Sequence, residues 1–184
     1  YNRFMNNYIQ IYKDVLDPSY CKDLIHRFEK NTEHHETHEQ GPMSFTQINF
    51  NQHLEYQEDV AQLSNLYKKY VSRYKKDCAI HHTQWPQQYA FEQIRLKRYL
   101  ANDKDEFAPH VDAINVESAK RFLVFFIYLD DNERGETNFP QLGLASPCKQ
   151  GSMLMFPPLW PWVHAGMKPI NKPKYMVGSY LHYI

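Results

Sequence analysis

Hydrophobic and polar positions repeat with one period in the first half of the chain and another in the second. From Glu55 to Ala79, the residues Val60, Leu63, Tyr67, Tyr70, Val71 and Tyr74 recur at three- and four-residue intervals, which predicts a long amphipathic helix. A shorter helix is predicted after Asp17-Pro18. The aspartate can accept from free backbone N–H groups there, proline fits the first helical position, and Leu24, Ile25 and Phe28 make the apolar stripe. Tyr8 to Val15 alternates in part and reads as a first strand. Asn31 to Gln52 is polar and histidine-rich, with His34, His35 and His38 ahead of Gly41-Pro42. It predicts a mobile surface loop, long enough to serve as a lid over a cleft, rather than a second metal site.

Beyond Trp85-Pro86 the period becomes two. Tyr89 to Leu100 reads as one strand, with Phe91, Gln93, Arg95 and Lys97 on one face, Ile94, Leu96 and Arg98 on the other, and Tyr99 near its end. Asn102 to Glu106 is a charged turn. Arg121 to Leu129 is apolar after its first residue, as expected of a strand covered on both faces, with Val124 and Tyr128 opposite Leu123, Phe125 and Ile127. A short strand follows Gly135. Ala145 to Lys149 and Ser152 to Phe156 come next, with Gln150-Gly151 as the turn between them, and Tyr175 to Tyr183 closes the sheet. About eight short strands predict a mainly β chain with supporting helices (α+β), an antiparallel double-sheet jelly roll with the amino-terminal helices packed on one sheet. The expectation is one domain over 1–184, in which 1–88 is a strand and helical support and 89–184 the jelly-roll core.

Composition narrows the class. A hydrophobic share of 42% with Lys+Arg and Asp+Glu balanced at 21 each marks a folded globular chain and argues against a nucleic-acid binder that works by bulk charge. The basic run Lys68, Lys69, Arg73, Lys75 and Lys76 therefore reads as a solvated helix face. Cys21, Cys78 and Cys148 are odd in number and widely spaced, which points to reduced thiols in a cytoplasmic or otherwise reducing compartment. The sequence shows no secretory signal and no apolar run near the ~20 residues of a membrane span, although a trimmed terminus before Tyr1 would hide a leader. It is silent on oligomeric state.

The chemistry gathers around His110-Val111-Asp112. On an extended segment, residues two apart point to the same side, so both side chains can reach one ion. A second histidine, His164, lies far downstream, and Lys174 follows it by ten positions. Two neutral imidazoles and one carboxylate are the facial ligand set of a non-haem Fe(II) oxygenase, which leaves the other positions open. An isolated His-x-Asp is weak, since most such triplets are surface pairs or loop hydrogen bonds.

The surrounding blocks change that balance. Phe107-Ala108-Pro109-His110-Val111-Asp112, the strand Arg121 to Asp131 containing Tyr128-Leu129-Asp130-Asp131, Gly135-Glu136-Thr137-Asn138-Phe139-Pro140, Gly151-Ser152-Met153-Leu154-Met155-Phe156, and His164-Ala165-Gly166 with Lys174 occur in that order. In these blocks the chain resembles the Fe(II)- and 2-oxoglutarate-dependent dioxygenases, and within them the prolyl 4-hydroxylase type. The resemblance covers Arg95 to Tyr183. It departs at Arg134, where the family has a glycine, at Val124, where it usually has threonine, and at Tyr180, where it commonly has tryptophan. The stretch from Tyr99 to Phe107 is also longer than usual and lacks glycine.

The resemblance implies His110, Asp112 and His164 as Fe(II) ligands and catalytic centre, and Lys174 as the partner of the distal carboxylate of 2-oxoglutarate. Tyr99, Tyr128 and, more weakly, Thr137 are candidates to bond the co-substrate, and Trp160 and Trp162 to line the substrate entrance. Arg121 reads as structural. Fe(II), 2-oxoglutarate and O2 would be the cofactors, with ascorbate as a possible reductant. The implied reaction hydroxylates an unactivated C–H bond and releases succinate and CO2; the presence of Asp112 favours hydroxylation over halogenation. The first expected substrate is a prolyl residue in a peptide or protein. The alternatives are an oxygenase of a free amino acid, another small molecule or a nucleobase, and a non-catalytic jelly-roll module that binds a metal or a sugar. Fold likeness alone does not choose among substrates.

Overall fold

Asp17 starts helix α1 (Pro18–Lys30): its carboxylate accepts from the Ser19 N–H at 2.8 Å, and Pro18 sits in the first turn. Helix α2 (Gln57–Asp77) buries Leu63, Tyr67, Tyr70, Val71 and Tyr74. The two helices are locked together by buried Asp59, which accepts from both Arg27 Nη atoms at 2.7 Å and from the Tyr20 hydroxyl at 2.6 Å. The computed structural model describes residues 7–41 and 43–184. Within them neither helix is long and apolar enough to cross a membrane, and Cys21, Cys78 and Cys148 are free thiols.

Twelve strands are found among the described residues: β1 (Gln10–Tyr12), β2 (Glu36–Gln40), β3 (Met43–Asn49), β4 (Tyr89–Phe91), β5 (Arg95–Tyr99), β6 (Glu106–His110), β7 (Arg121–Tyr128), β8 (Asn132–Phe139), β9 (Leu144–Cys148), β10 (Met153–Phe156), β11 (His164–Gly166) and β12 (Lys174–Tyr183). They run in the order β1-β10-β7-β12-β5-β3-β6-β11-β8-β9, with β2 on β3 and β4 on β12. β3 meets β6 through only two residue pairs, and there the sheet doubles back. The β6-β11-β8-β9 limb then faces the β10-β7-β12-β5 limb, so that Phe139 and His164 pack on Phe156 across the gap. This is the jelly roll expected from the strand pattern, with helices on one sheet.

Alternation explains how one sheet serves two cores. On β7, Leu123, Phe125 and Ile127 point to the helices, while Val124, Phe126 and Tyr128 point into the gap. β10 repeats this with Met153 and Met155 outward, Leu154 and Phe156 inward. On β12, Tyr175, Val177 and Leu181 join the helical core, which leaves Lys174, Met176, Gly178 and Tyr180 for the interior.

The structure corrects several expectations. Asn31 to Gln52 is not a loop: it carries the β2–β3 hairpin, and β3 is a buried strand between β5 and β6. Its buried polar residues disguise it, because they are satisfied by partners; Gln47 donates to Glu36 at 2.7 Å and Asn49 to Gln93. Pro42 of the Gly41-Pro42 turn lies outside the described residues. Since β1 and β3 both join the sheet, 1–88 is more than a supporting layer. The first strand shrinks to Gln10–Tyr12, and past it Asp14 takes a left-handed φ of 52°. Tyr89 to Leu100 splits into β4 and β5, where Ile94 N–H leaves the ladder to bond the Asn51 side chain at 2.7 Å. The shift turns Phe91 toward the helices while Arg95 and Lys97 face the interior. β9 and β10 do not pair across Gln150-Gly151; β9 stays on β8 and β10 crosses to β7 and β1.

Gly178 shows how closely β12 lies on β7. A Cβ there would stand 2.4 Å from the Phe125 carbonyl oxygen and 2.5 Å from Phe126 Cβ. Gly178→Ala is expected to destabilise the fold by about 1–3 kcal/mol, read as a lower urea midpoint. An unchanged midpoint would contradict this packing.

Candidate active site

β6 ends on His110 and β11 begins on His164, and the two residues are paired directly across the strands. Phe107 stacks on the His110 ring with centroids 3.4 Å apart, and Phe156 meets His164 edge-on at 4.7 Å. Each imidazole is fixed by its own strand. His110 Nδ1 donates to the Ala108 carbonyl at 2.7 Å, and His164 Nδ1 to the Trp162 carbonyl at 3.1 Å. A carbonyl only accepts, so Nδ1 carries the proton and the Nε2 lone pair is left free on both rings.

Asp112 follows β6 by two residues, and its backbone N–H is held by the Pro158 carbonyl at 3.2 Å. Its Oδ1 lies 3.5 Å from His110 Nε2 and its Oδ2 3.6 Å from His164 Nε2. One ligand atom from each of the three residues lies within 4.8 Å of the others. His110 Nε2 and Asp112 Oδ2 are buried with no hydrogen-bond partner among the described residues. Leaving such atoms dry and unpaired costs on the order of 1–3 kcal/mol each, which an ion shared among them would offset. Two imidazoles and a carboxylate on one side suit Fe(II).

The electrostatics agree. Burial pushes the His164 pKa down to about 4 against the pull of Asp112, so the ring is neutral and able to ligate. Burial opposes ionisation of Asp112, yet His110, His164 and Lys97 together hold its carboxyl below the ordinary range. The Tyr180 hydroxyl donates to Asp112 Oδ1 at 3.2 Å. Behind it, the Arg121 guanidinium lies 4.2 Å from the Tyr180 ring centre and bonds Glu92 at 2.7 and 2.9 Å. Arg121 thus reaches the site through Tyr180.

His110, Asp112, His164 and Tyr180 line a cavity of about 80 Å³ between the sheets, together with Lys174, Tyr99, Thr137, Lys97 and Arg95. Lys174 is 1% exposed. Its Nζ donates to the Met167 carbonyl at 3.0 Å and lies 4.5 Å from the Tyr99 ring centre. Among the described residues no carboxylate is within ion-pair distance of it, and burial pushes its pKa down to about 8. Gly135 makes room, since a Cβ there would stand 2.9 Å from Lys174 Cδ. A buried ammonium with one carbonyl partner fits the end of a dicarboxylate such as 2-oxoglutarate.

The other sequence candidates fall differently. Tyr99 and Thr137 line the cavity, but Tyr128 does not; its hydroxyl bonds Thr137 Oγ1 at 2.7 Å and sits behind it. Trp160 is 80% exposed and Trp162 half-buried, and neither lines the cavity; Trp162 contributes through its carbonyl to His164. Sequence reasoning missed the roles of Lys97, Arg95 and the Tyr180–Arg121–Glu92 chain. Alternation carried part of the signal, because Lys97 shares a face with Tyr99. A second cluster, His34, His53 and Glu55, also brings ligand atoms together, but His34 is already bonded to Glu55 and stacked on His53 at 3.8 Å.

Residues 94–182 match the model of the 2OG-Fe(II) oxygenase superfamily. That segment, a little under half of the chain, is similar to the superfamily's oxygenase domain. The protein is a 2-oxoglutarate-dependent dioxygenase, and Fe(II), 2-oxoglutarate and O2 are the cofactors of the family. The fold is shared with solved prolyl hydroxylases. The viral collagen prolyl hydroxylase of Paramecium Bursaria Chlorella virus-1, in its 2OG complex, has a TM-score of 0.71 at 19% identity, covering 96% of each chain. A prolyl hydroxylase from Trichoplax adhaerens, in complex with a hypoxia inducible factor peptide fragment, gives 0.74 at 13%, covering 98% of this chain and 86% of that one. A Pseudomonas putida prolyl-4-hydroxylase gives 0.65 at 11%, covering 96% and 93%. Among curated proteins no sequence matches.

The state of Lys174 sets a pH limit on co-substrate binding. An anion needs the ammonium, so 2-oxoglutarate affinity should hold below pH 8 and fall as pH rises through about 8, by roughly ten-fold per unit. Lys174→Arg, whose guanidinium keeps its charge, should remove the fall in that window. Equilibrium titration across pH 7 to 10 checks this, and a flat wild-type profile would move the anion site elsewhere.

Proposed function

We propose that the enzyme hydroxylates a prolyl residue in a peptide or protein segment, with succinate and CO2 as co-products. In this reading His110, Asp112 and His164 hold Fe(II), and Lys174 holds the distal carboxylate of 2-oxoglutarate. The observation that carries the substrate class is an open groove of about 580 Å³ beside the inner cavity, sharing Asp112 and Arg95 with it. An open groove that passes Asp112 suits an extended chain better than a free small molecule. Ile114, 75% exposed, gives the groove an apolar contact. The shared fold supports the same reading, since one neighbour is a prolyl hydroxylase in complex with a peptide fragment.

Bound iron and 2-oxoglutarate supply the oxidising power for breaking an unactivated C–H bond. The protein orients and protects. The two Nδ1–carbonyl bonds fix the imidazole planes, and Tyr180 steadies the Asp112 oxygen that faces His110. Lys174, opposite Tyr99 in the β12–β5 register, sets how far the co-substrate enters. Val124, Phe126 and Met176 give the cavity an apolar wall that limits water.

Mass spectrometry of proline-rich peptides incubated with enzyme, Fe(II), 2-oxoglutarate and ascorbate should show a one-oxygen gain on proline. His164→Ala should cut 2-oxoglutarate turnover to below about one hundredth with the circular dichroism spectrum retained. Unchanged turnover in that variant would remove His164 from the ligand set.

A further inference from the structure

The inner cavity carries more positive charge than the family chemistry uses. Arg95, Lys97 and Lys174 line it, against one carboxylate, Asp112. A divalent metal and a dianionic 2-oxoglutarate cancel one another. They leave an excess of two positive charges, and Lys174 is spent on the co-substrate. The excess lies on β5. Tyr99 is opposite Lys174, Lys97 opposite Met176, and Arg95 opposite Gly178, so the two cations stand progressively farther from Lys174 along the same face. At about 3.3 Å per residue, Lys97 is displaced from the Lys174 level by roughly 7 Å and Arg95 by roughly 13 Å.

Neither cation has a carboxylate to itself among the described residues. Lys97 makes no ion pair among the described residues; its Nζ lies 4.4 Å from the Phe45 ring centre. The one carboxylate that acts on it is Asp112, whose oxygens face His110 and His164. Arg95 makes only long contacts with Gln93, at 3.4 and 3.5 Å, and stands 4.0 Å from Glu92, whose oxygens are taken by Arg121. Arg95 also belongs to the outer groove, so it stands where a substrate passes from the groove to the metal. A partly buried cation with no ion-pair partner, as at Lys97, or with one carboxylate shared with a second guanidinium, as at Arg95, is costly unless an anion regularly meets it.

We infer that Lys97 and Arg95 are specificity residues which bind a carboxylate of the substrate close to the carbon that is hydroxylated. The inference rests on the oxygenase reading of this cavity. The carboxylate has two sources: an acidic side chain beside the target residue in a peptide, or the α-carboxylate of a free amino acid. In both, the guanidinium meets the anion at the groove and the ammonium meets it within the cavity, while Lys174 stays with the co-substrate.

The test is equilibrium binding of matched acid and amide pairs to the enzyme with 2-oxoglutarate and Mn(II) under nitrogen. One pair is a proline-rich peptide with Asp or Asn next to proline; the other is L-proline and L-prolinamide. In at least one pair the acid should bind about 10- to 100-fold more tightly than the amide, and the pair that shows the preference identifies the source. Lys97→Gln and Arg95→Gln should each shrink the ratio toward one, and Lys97→Arg should largely keep it. Equal binding of acid and amide in both pairs, or no binding of any, overturns the inference. A preference that survives in both glutamine variants overturns the assignment to these residues. An acid preference in binding without oxygen gain on proline counts against the prolyl reading and leaves this one standing.

Discussion

Three buried ligand atoms brought together without protein partners for all of them are the constraint on which the rest of the structure depends. His110 and His164 are neighbours because β6 and β11 pair directly at these residues, and Asp112 completes the set two positions on. Among the described residues nothing satisfies His110 Nε2 or Asp112 Oδ2. A fold that buries such atoms needs a ligand that bonds them. The local structure is devoted to keeping them there: two carbonyls fix the ring tautomers, the Pro158 carbonyl holds the Asp112 backbone, and Tyr180 backed by Arg121 and Glu92 steadies its side chain.

The double-sheet architecture makes this possible at modest size. The helices take one face of the larger limb, with Leu63, Tyr67 and Val71 in one apolar core with the outward residues of β7, β10 and β12. The inner face is thereby released from a purely packing role and can carry Lys174, Lys97 and Arg95. The cations are laid out along β12 and β5 at strand spacing, which separates a deep anion station from the charges nearer the groove.

Much of this was legible in the sequence, for identifiable reasons. The closing strand was readable from Tyr175 to Tyr183, and the i, i+2 spacing of His110 and Asp112 put them on one side of an extended segment. β3 was illegible because its buried positions include Thr46, Gln47 and Asn49, polar residues whose partners come from elsewhere in the chain. Lys97 was hidden for a related reason: a lysine in a strand is ordinarily solvated, and only the sheet order shows that this face looks inward. The Arg121–Glu92 pair joins residues 29 apart and has no local signature. Alternation placed Tyr128 on one face with Val124, but only the fold shows that this face is the interior and that Thr137 stands between the Tyr128 hydroxyl and the cavity.

The most direct test of the central claim is a calorimetric titration of the metal-free protein with Fe(II) under nitrogen. One tight site per chain is expected in the wild type, lost in Asp112→Ala while the fold is kept. Full-affinity binding by Asp112→Ala, or no binding by the wild type, would contradict that claim.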